Sequence, residues 1–286
     1  MSIWEALILG VVQGITEFLP VSSSGHLVLL QTIFGITEPA LVFDTALHGG
    51  TLLAVLVVLW RDIWNILRRI IQPMTLYIII ATIPAVIFAL VFKERIENAF
   101  TSGAFLGFAF IVTSAMLLIS DRLYMANEKP GGFPVKLDGP PKIRTQDEMN
   151  FLDALLIGIL QAVAIVPGIS RSGATISAAL SRRLDRDFAA RFSFLLSIPA
   201  ILGALALQLK DLAAAGPDAG AGTAGLTGGI LPIAAGTVSA AITAFFFIRL
   251  TLKIVREHSL WGFSLYTGIL GLLVLVDKFG THLFFI

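Results

Sequence analysis

Two short strings carry most of the side chains in this chain that could do chemistry. The first, QGITEFLPVSSSGH, runs from Gln13 to His26; the second, PGISRSGAT, runs from Pro167 to Thr175. Gln13 and Glu17 are four residues apart and share one helix face. Ser22, Ser23 and Ser24 precede Gly25 where a helix can restart, and Ser170, Ser172 and Gly173 repeat that arrangement in the second string. Helix amino termini present free N–H groups and the positive end of the helix dipole, so two of them converging would cradle an anion. The competing account is that the serines only cap helices. Arg171 adds a planar fork that matches phosphate oxygens in two places. A guanidinium in hydrocarbon costs at least about 2.5 to 3.5 kcal/mol and persists only with a partner, which a phosphate or Glu17 would supply. His26, one turn after Ser23, is placed to take a serine proton, the arrangement general acid–base and nucleophilic catalysis need. Glu17 could orient that base, serve as one, or hold a divalent cation. Asp44 and His48, at i and i+4, could form a second layer or a metal contact, and for them a structural role is favoured.

These groups must sit in a membrane. Of 286 residues, 56% are hydrophobic and 14% charged, with a mean hydropathy of +0.89, more apolar surface than a soluble domain could hide. No Lys or Arg precedes Arg61, so the amino terminus, with Glu5 in place of a basic region, does not read as a cleavable signal peptide. The absence of cysteine excludes disulfides, thiolate nucleophiles and thiolate metal sites. Spans of the roughly 20 apolar residues a bilayer requires are expected near 41–60, 75–92, 102–120, 188–209, 229–251 and 259–277. Two further apolar regions, 3–34 and 152–184, are each cut by Pro, Ser and Gly, giving pairs of half-length helices. ALILGVVQ (Ala6 to Gln13) parallels ALLIGILQ (Ala154 to Gln161), and each broken pair precedes three spans. The chain therefore reads as one membrane domain, 1–286: one repeat over about 1–120, a polar linker at 121–150, and a second repeat over about 151–286, the plan of many transporters.

Charge placement decides whether the broken pairs cross. If they re-enter, 15 of the 20 basic residues fall on one side and 4 on the other, with Arg171 inside the membrane; if they cross, the split is 10 to 9. Only the first division obeys the positive-inside rule. The expected fold is thus an all-α integral membrane protein with an inverted-topology repeat, each half a re-entrant helix hairpin plus three transmembrane helices. Both termini lie outside, the linker is cytoplasmic, and the hairpin tips meet at the midplane around a polar pocket. Trp4, Trp60, Trp64 and Trp261 are expected at the interfaces as anchors.

The two strings closely resemble the paired signature motifs of bacterial undecaprenyl-diphosphate phosphatases of the bacitracin-resistance type, and the likeness extends over the whole chain in length, span pattern and motif placement. The chain departs at Gln13, where many members carry a second glutamate. It differs from the other lipid phosphatase class, which shares an SGH motif like Ser24 to His26 but has a histidine soon after its Ser-Arg; here no histidine follows Arg171 until His258. The resemblance implies hydrolysis of undecaprenyl diphosphate to the monophosphate and phosphate, regenerating the lipid carrier for cell-wall polymers, in the bacterial inner membrane with the site facing the periplasm. The expected catalytic set is Glu17, Ser23, His26 and Arg171, with Gln13, Ser22, Ser24, Gly25, Ser170, Ser172 and Gly173 binding substrate. A divalent cation, Mg2+ or Ca2+, on Glu17 is compatible with this chemistry; no organic cofactor and no nucleic acid are expected, and the partners are the polyprenyl diphosphate, the bilayer and a possible second copy in a homodimer. The rival class is a lipid-phosphate flippase or ion-coupled transporter using the same inverted-repeat site.

Overall fold

Residues 1–36, 41–92, 104–128, 143–214 and 229–284 are described by a computed structural model. The described residues are mostly helical, with eleven α-helices: α1 Ile3–Thr16, α2 Ser23–Ile33, α3 Leu41–Val58, α4 Trp60–Arg68, α5 Pro73–Val91, α6 Ala104–Glu128, α7 Phe151–Val163, α8 Arg171–Ser181, α9 Arg186–Ala214, α10 Ile230–Glu257 and α11 Trp261–Val276, besides a 3-10 turn at Gln146–Glu148 and a π-helical turn at Asp277–Thr281. Five are long and apolar enough to cross a membrane, and α3 with α4 makes a sixth candidate, bent by 75°. The expected spans thus recur with shifted ends, and the chain is a multi-pass membrane protein. Beyond the bend, α4 buries none of its residues and lays Arg61 over Trp60 and Arg68 over Trp64, as an interfacial helix would.

Both apolar regions break where the sequence lacks the means to continue a helix. Pro20 has no N–H to give α1 another turn, and Ser22 takes φ +72° before α2 starts. In the second region Pro167 is followed by Gly168 at φ +87°, a conformation open to glycine. Each region begins with a capping box: Ser2 with Glu5 opens α1, and Asn150 with Asp153 opens α7.

Helix α1 packs on α10, α7 on α5, α6 on α11, and α3 on both α10 and α9. A Cβ on Gly10 would stand 2.2 Å from the Gly236 carbonyl oxygen, and one on Gly158 would stand 2.6 Å from that of Ala81. Close backbone approach through small residues is how membrane helices associate when lipid is as apolar as leucine.

Segment 121–150 departs from a free linker. Helix α6 continues to Glu128, and Asp121 is buried, accepting hydrogen bonds from Arg186 (2.8 Å), Ser259 (2.5 Å) and the Leu260 N–H (3.1 Å). Arg144 donates to both oxygens of buried Asp153 (3.0 and 2.6 Å), which also receives Arg182 at 2.6 Å. The linker's middle, with Lys129, Lys136 and Lys142, and Lys93 and Arg95 of the charge argument, lie outside the described residues.

Candidate active site

The two breaks meet. Ser24 Oγ accepts from the Gly168 N–H (3.4 Å), and Ser172 donates to the Leu19 carbonyl (2.9 Å), so each tip holds the other's backbone. Ser22 and Ser170 cap α2 and α8 by accepting from the N–H groups of Gly25 (3.2 Å) and Gly173 (3.0 Å). Those glycine N–H groups already have partners. Gly25 also has a packing reason, since a Cβ there would meet the Phe110 ring at 2.7 Å.

Glu17, at the carboxyl end of α1, is the hub. Its Oε1 accepts from Arg171 Nη2 at 2.6 Å, joining the tips by an ion pair. Its Oε2 accepts from Ser23 Oγ at 2.6 Å and Gln13 Nε2 at 2.9 Å, and His48 Nδ1 stands 3.2 Å away. Gln13 Nε2 is also 2.9 Å from that imidazole nitrogen. Glu17 and Gln13 are buried, and Arg171 and Ser23 are partly exposed to a cavity of about 250 Å3. One side of its lining is polar: Glu17, Ser23, Ser24, His48, Ser170, Arg171 and Ser172. The other is apolar, three alanines and three isoleucines: Ala164, Ile165, Ile169, Ala200, Ile201 and Ala204. A serine hydroxyl hydrogen-bonded to a carboxylate, with a guanidinium on that carboxylate's other oxygen, is equipped to grip an anion and activate an oxygen nucleophile.

The expected pairing of Glu17 with His26 is corrected. His26 does not line the cavity: its Nδ1 lies 2.7 Å from the Ser22 carbonyl oxygen and its Nε2 lies 2.7 Å from the Tyr266 hydroxyl. The imidazole on Glu17 is that of His48, for which the spacing with Asp44 favoured a structural role; Asp44 instead receives Gln31 Nε2 at 2.7 Å. The physical reason is the setting of α2 about its own axis: directly after Ser22 at φ +72°, Ser23 reaches Glu17 while His26 reaches Tyr266 of α11. Tyr266 carried no signal beyond being a lone phenol in an apolar span.

As for a cation, no group of three His, Cys, Asp or Glu side chains converges among the described residues, and both oxygens of Glu17 already have protein donors. These residues do not by themselves make a metal site.

Fold and site define a helical membrane protein with a partly polar cavity between two broken helices, lined by a serine, a carboxylate and an arginine. The chain belongs to the bacitracin resistance protein BacA family, whose model matches residues 6–273 and so takes in both tips. It is 43% identical to the undecaprenyl-diphosphatase of Carboxydothermus hydrogenoformans over 276 residues, covering 96% of this chain and 97% of the relative. The undecaprenyl-diphosphatases of Halothermothrix orenii and Methanosphaera stadtmanae are each 38% identical, covering 96% of this chain and 98% of the relative.

Proposed function

We propose that this chain is a membrane phosphatase that cleaves undecaprenyl diphosphate to undecaprenyl phosphate and phosphate. The observation that carries the reading is the Ser23 hydroxyl, 2.6 Å from a buried carboxylate that also holds Arg171. In the proposed sequence, Arg171 turns toward the incoming diphosphate and neutralises charge on it. Ser23 Oγ attacks the terminal phosphorus, its proton passes to Glu17, and the bond to the bridging oxygen breaks, so undecaprenyl phosphate leaves with the electron pair. Water then attacks the phosphoserine, the bond to Ser23 Oγ breaks as Ser23 recovers its proton from Glu17, and the proton that Glu17 takes from the water passes to solvent with the phosphate. Ser24, Ser170 and Ser172 orient the phosphoryl oxygens, and His48 with Gln13 holds Glu17 in place.

In this reading the cavity of about 250 Å3 takes the diphosphate, and the prenyl chain lies outside it. The chain would leave past Ala200 and Ala204, where Leu202, Gly203 and Ala204 are exposed.

The inverted repeat is the frame we assign to this site. It is supported by the equivalent positions Gly10 and Gly158, which admit the backbones of α10 and α5, the second full-length helices of opposite halves. In that frame both termini lie outside, and the cavity, bordered by His48 and the later part of α9, opens to the periplasmic face of the inner membrane. Its role is then recycling of the carrier for cell-wall synthesis.

The test is phosphate release from undecaprenyl diphosphate by detergent-purified protein. Wild type should release it, and Ser23→Ala and Arg171→Ala should lose at least about 99% of kcat/KM. Full activity of Ser23→Ala would exclude the covalent route. Movement of lipid phosphate across vesicles with no release in any medium would favour the flippase.

A further inference from the structure

Every polar atom of the His26 ring is committed, and none of it to Ser23. The ring stacks on Tyr266, with centroids 5.7 Å apart and planes at 11°, and meets the edge of Phe110 at 5.5 Å. A carbonyl oxygen can only accept, so the nitrogen 2.7 Å from Ser22 O, Nδ1, carries a hydrogen. In the neutral imidazole Nε2 is then the acceptor, and the Tyr266 hydroxyl, 2.7 Å away, donates to it. Neither contact is to a carboxylate, and the rings around it are those of Tyr266 and Phe110.

The chain of contacts ends on the one strained residue of the first tip. Ser22 has φ +72°, sparsely populated for a side-chain-bearing residue. Its carbonyl oxygen accepts twice from His26, from the backbone N–H at 3.2 Å and from Nδ1. That carbonyl and the Ser23 N–H belong to one planar peptide, so fixing it fixes the plane from which the Ser23 side chain departs toward Glu17. Tyr266, 47% exposed, lines a separate hollow with Ile15, Leu19 and Phe263.

From this geometry we propose that Tyr266 and His26 are positioning residues for Ser23. The phenol sets the imidazole tautomer, the imidazole holds the Ser22 carbonyl, and the carbonyl aims the nucleophile, all from outside the catalytic cavity. This rests on the phosphatase reading for what Ser23 does, but not for how His26 is held.

Paired substitutions separate positioning from proton transfer. An asparagine amide N–H can stand where Nδ1–H stands, whereas a glutamine amide reaches toward Nε2. His26→Asn should keep kcat within about tenfold of wild type, and His26→Gln should fall at least another tenfold. A general base would give the same loss of about 10²- to 10⁴-fold in both, and that result overturns the proposal. Tyr266→Phe should lower kcat about fivefold, the loss of one neutral hydrogen bond, with KM unchanged; wild-type kcat in this variant overturns it too. Independently of turnover, protein labelled with [15N]histidine has four imidazoles to resolve, and the His26 signals are those missing in His26→Asn. They should report a protonated Nδ1 and a bare Nε2; the opposite tautomer refutes the relay. Should wild type release no phosphate, the phosphatase reading fails while the tautomer still decides this one.

Discussion

Replacing Glu17 by Gln removes a charge and one acceptor while keeping the shape, and the contacts fix what must follow. Two donors converge on Glu17 from opposite sides, Arg171 on Oε1 and Ser23 on Oε2, and Gln13 Nε2 adds a third. An amide has one acceptor oxygen. Turned toward Arg171, it points its NH2 at Ser23 and sets two donors face to face with Gln13; turned toward Ser23, it does the same to the guanidinium. Either way the serine loses its base, and proton transfer of this kind contributes about 10²- to 10⁴-fold to kcat. Loss of a partner to a buried charge costs about 3–5 kcal/mol, and here less, because Arg171 borders the cavity with 17% of its side chain exposed. That relief has a kinetic signature. In the free enzyme the guanidinium is already occupied by Glu17, so in Glu17→Gln it is released for the diphosphate. KM should therefore hold or fall while kcat drops at least a hundredfold, measured by phosphate release in detergent with folding checked by size-exclusion chromatography and thermal melting. A folded variant in which KM rises and kcat is unchanged would make Glu17 a binding group and sink the proposed mechanism.

Other perturbations follow from the same contacts. Arg171→Lys keeps the charge but cannot hold Glu17 and Ser193 O together as the fork does; kcat/KM should fall about tenfold or more, about 1.4 kcal/mol. Ala204→Trp should plug the apolar side of the cavity, raising KM for undecaprenyl diphosphate at least about tenfold while leaving a short prenyl diphosphate within about threefold; equal effects on both would refute the proposed tail route. Asp153→Ala strands Arg144 and Arg182 together at the start of α7, and should lower thermal stability by about 3 kcal/mol, read as an earlier melting transition. A melting temperature equal to wild type would show that the clasp is not holding the second tip.

What the sequence could and could not disclose divides along a physical line. Proline, glycine and serine clusters act locally, so both helix breaks could be read to within about three residues, and an arginine in hydrocarbon demands a counter-charge, which made its pairing with Glu17 readable across 154 positions. A histidine makes no such demand: its face on its own helix follows from spacing, but the neighbour that face meets depends on how the helix is turned about its axis. Directly before α2 stands Ser22, whose positive φ carries no sequence mark because the residue is not glycine. His26 therefore looked like the partner of Glu17 and His48 like a bystander, although on α3 His48 adjoins a buried stripe of Phe43, Leu47, Thr51 and Val55 that faces the core. The setting of α2 about its axis thus exchanged the two imidazoles, and an exposed-looking phenol on the last long helix took up the contact that sequence alone assigned to the carboxylate.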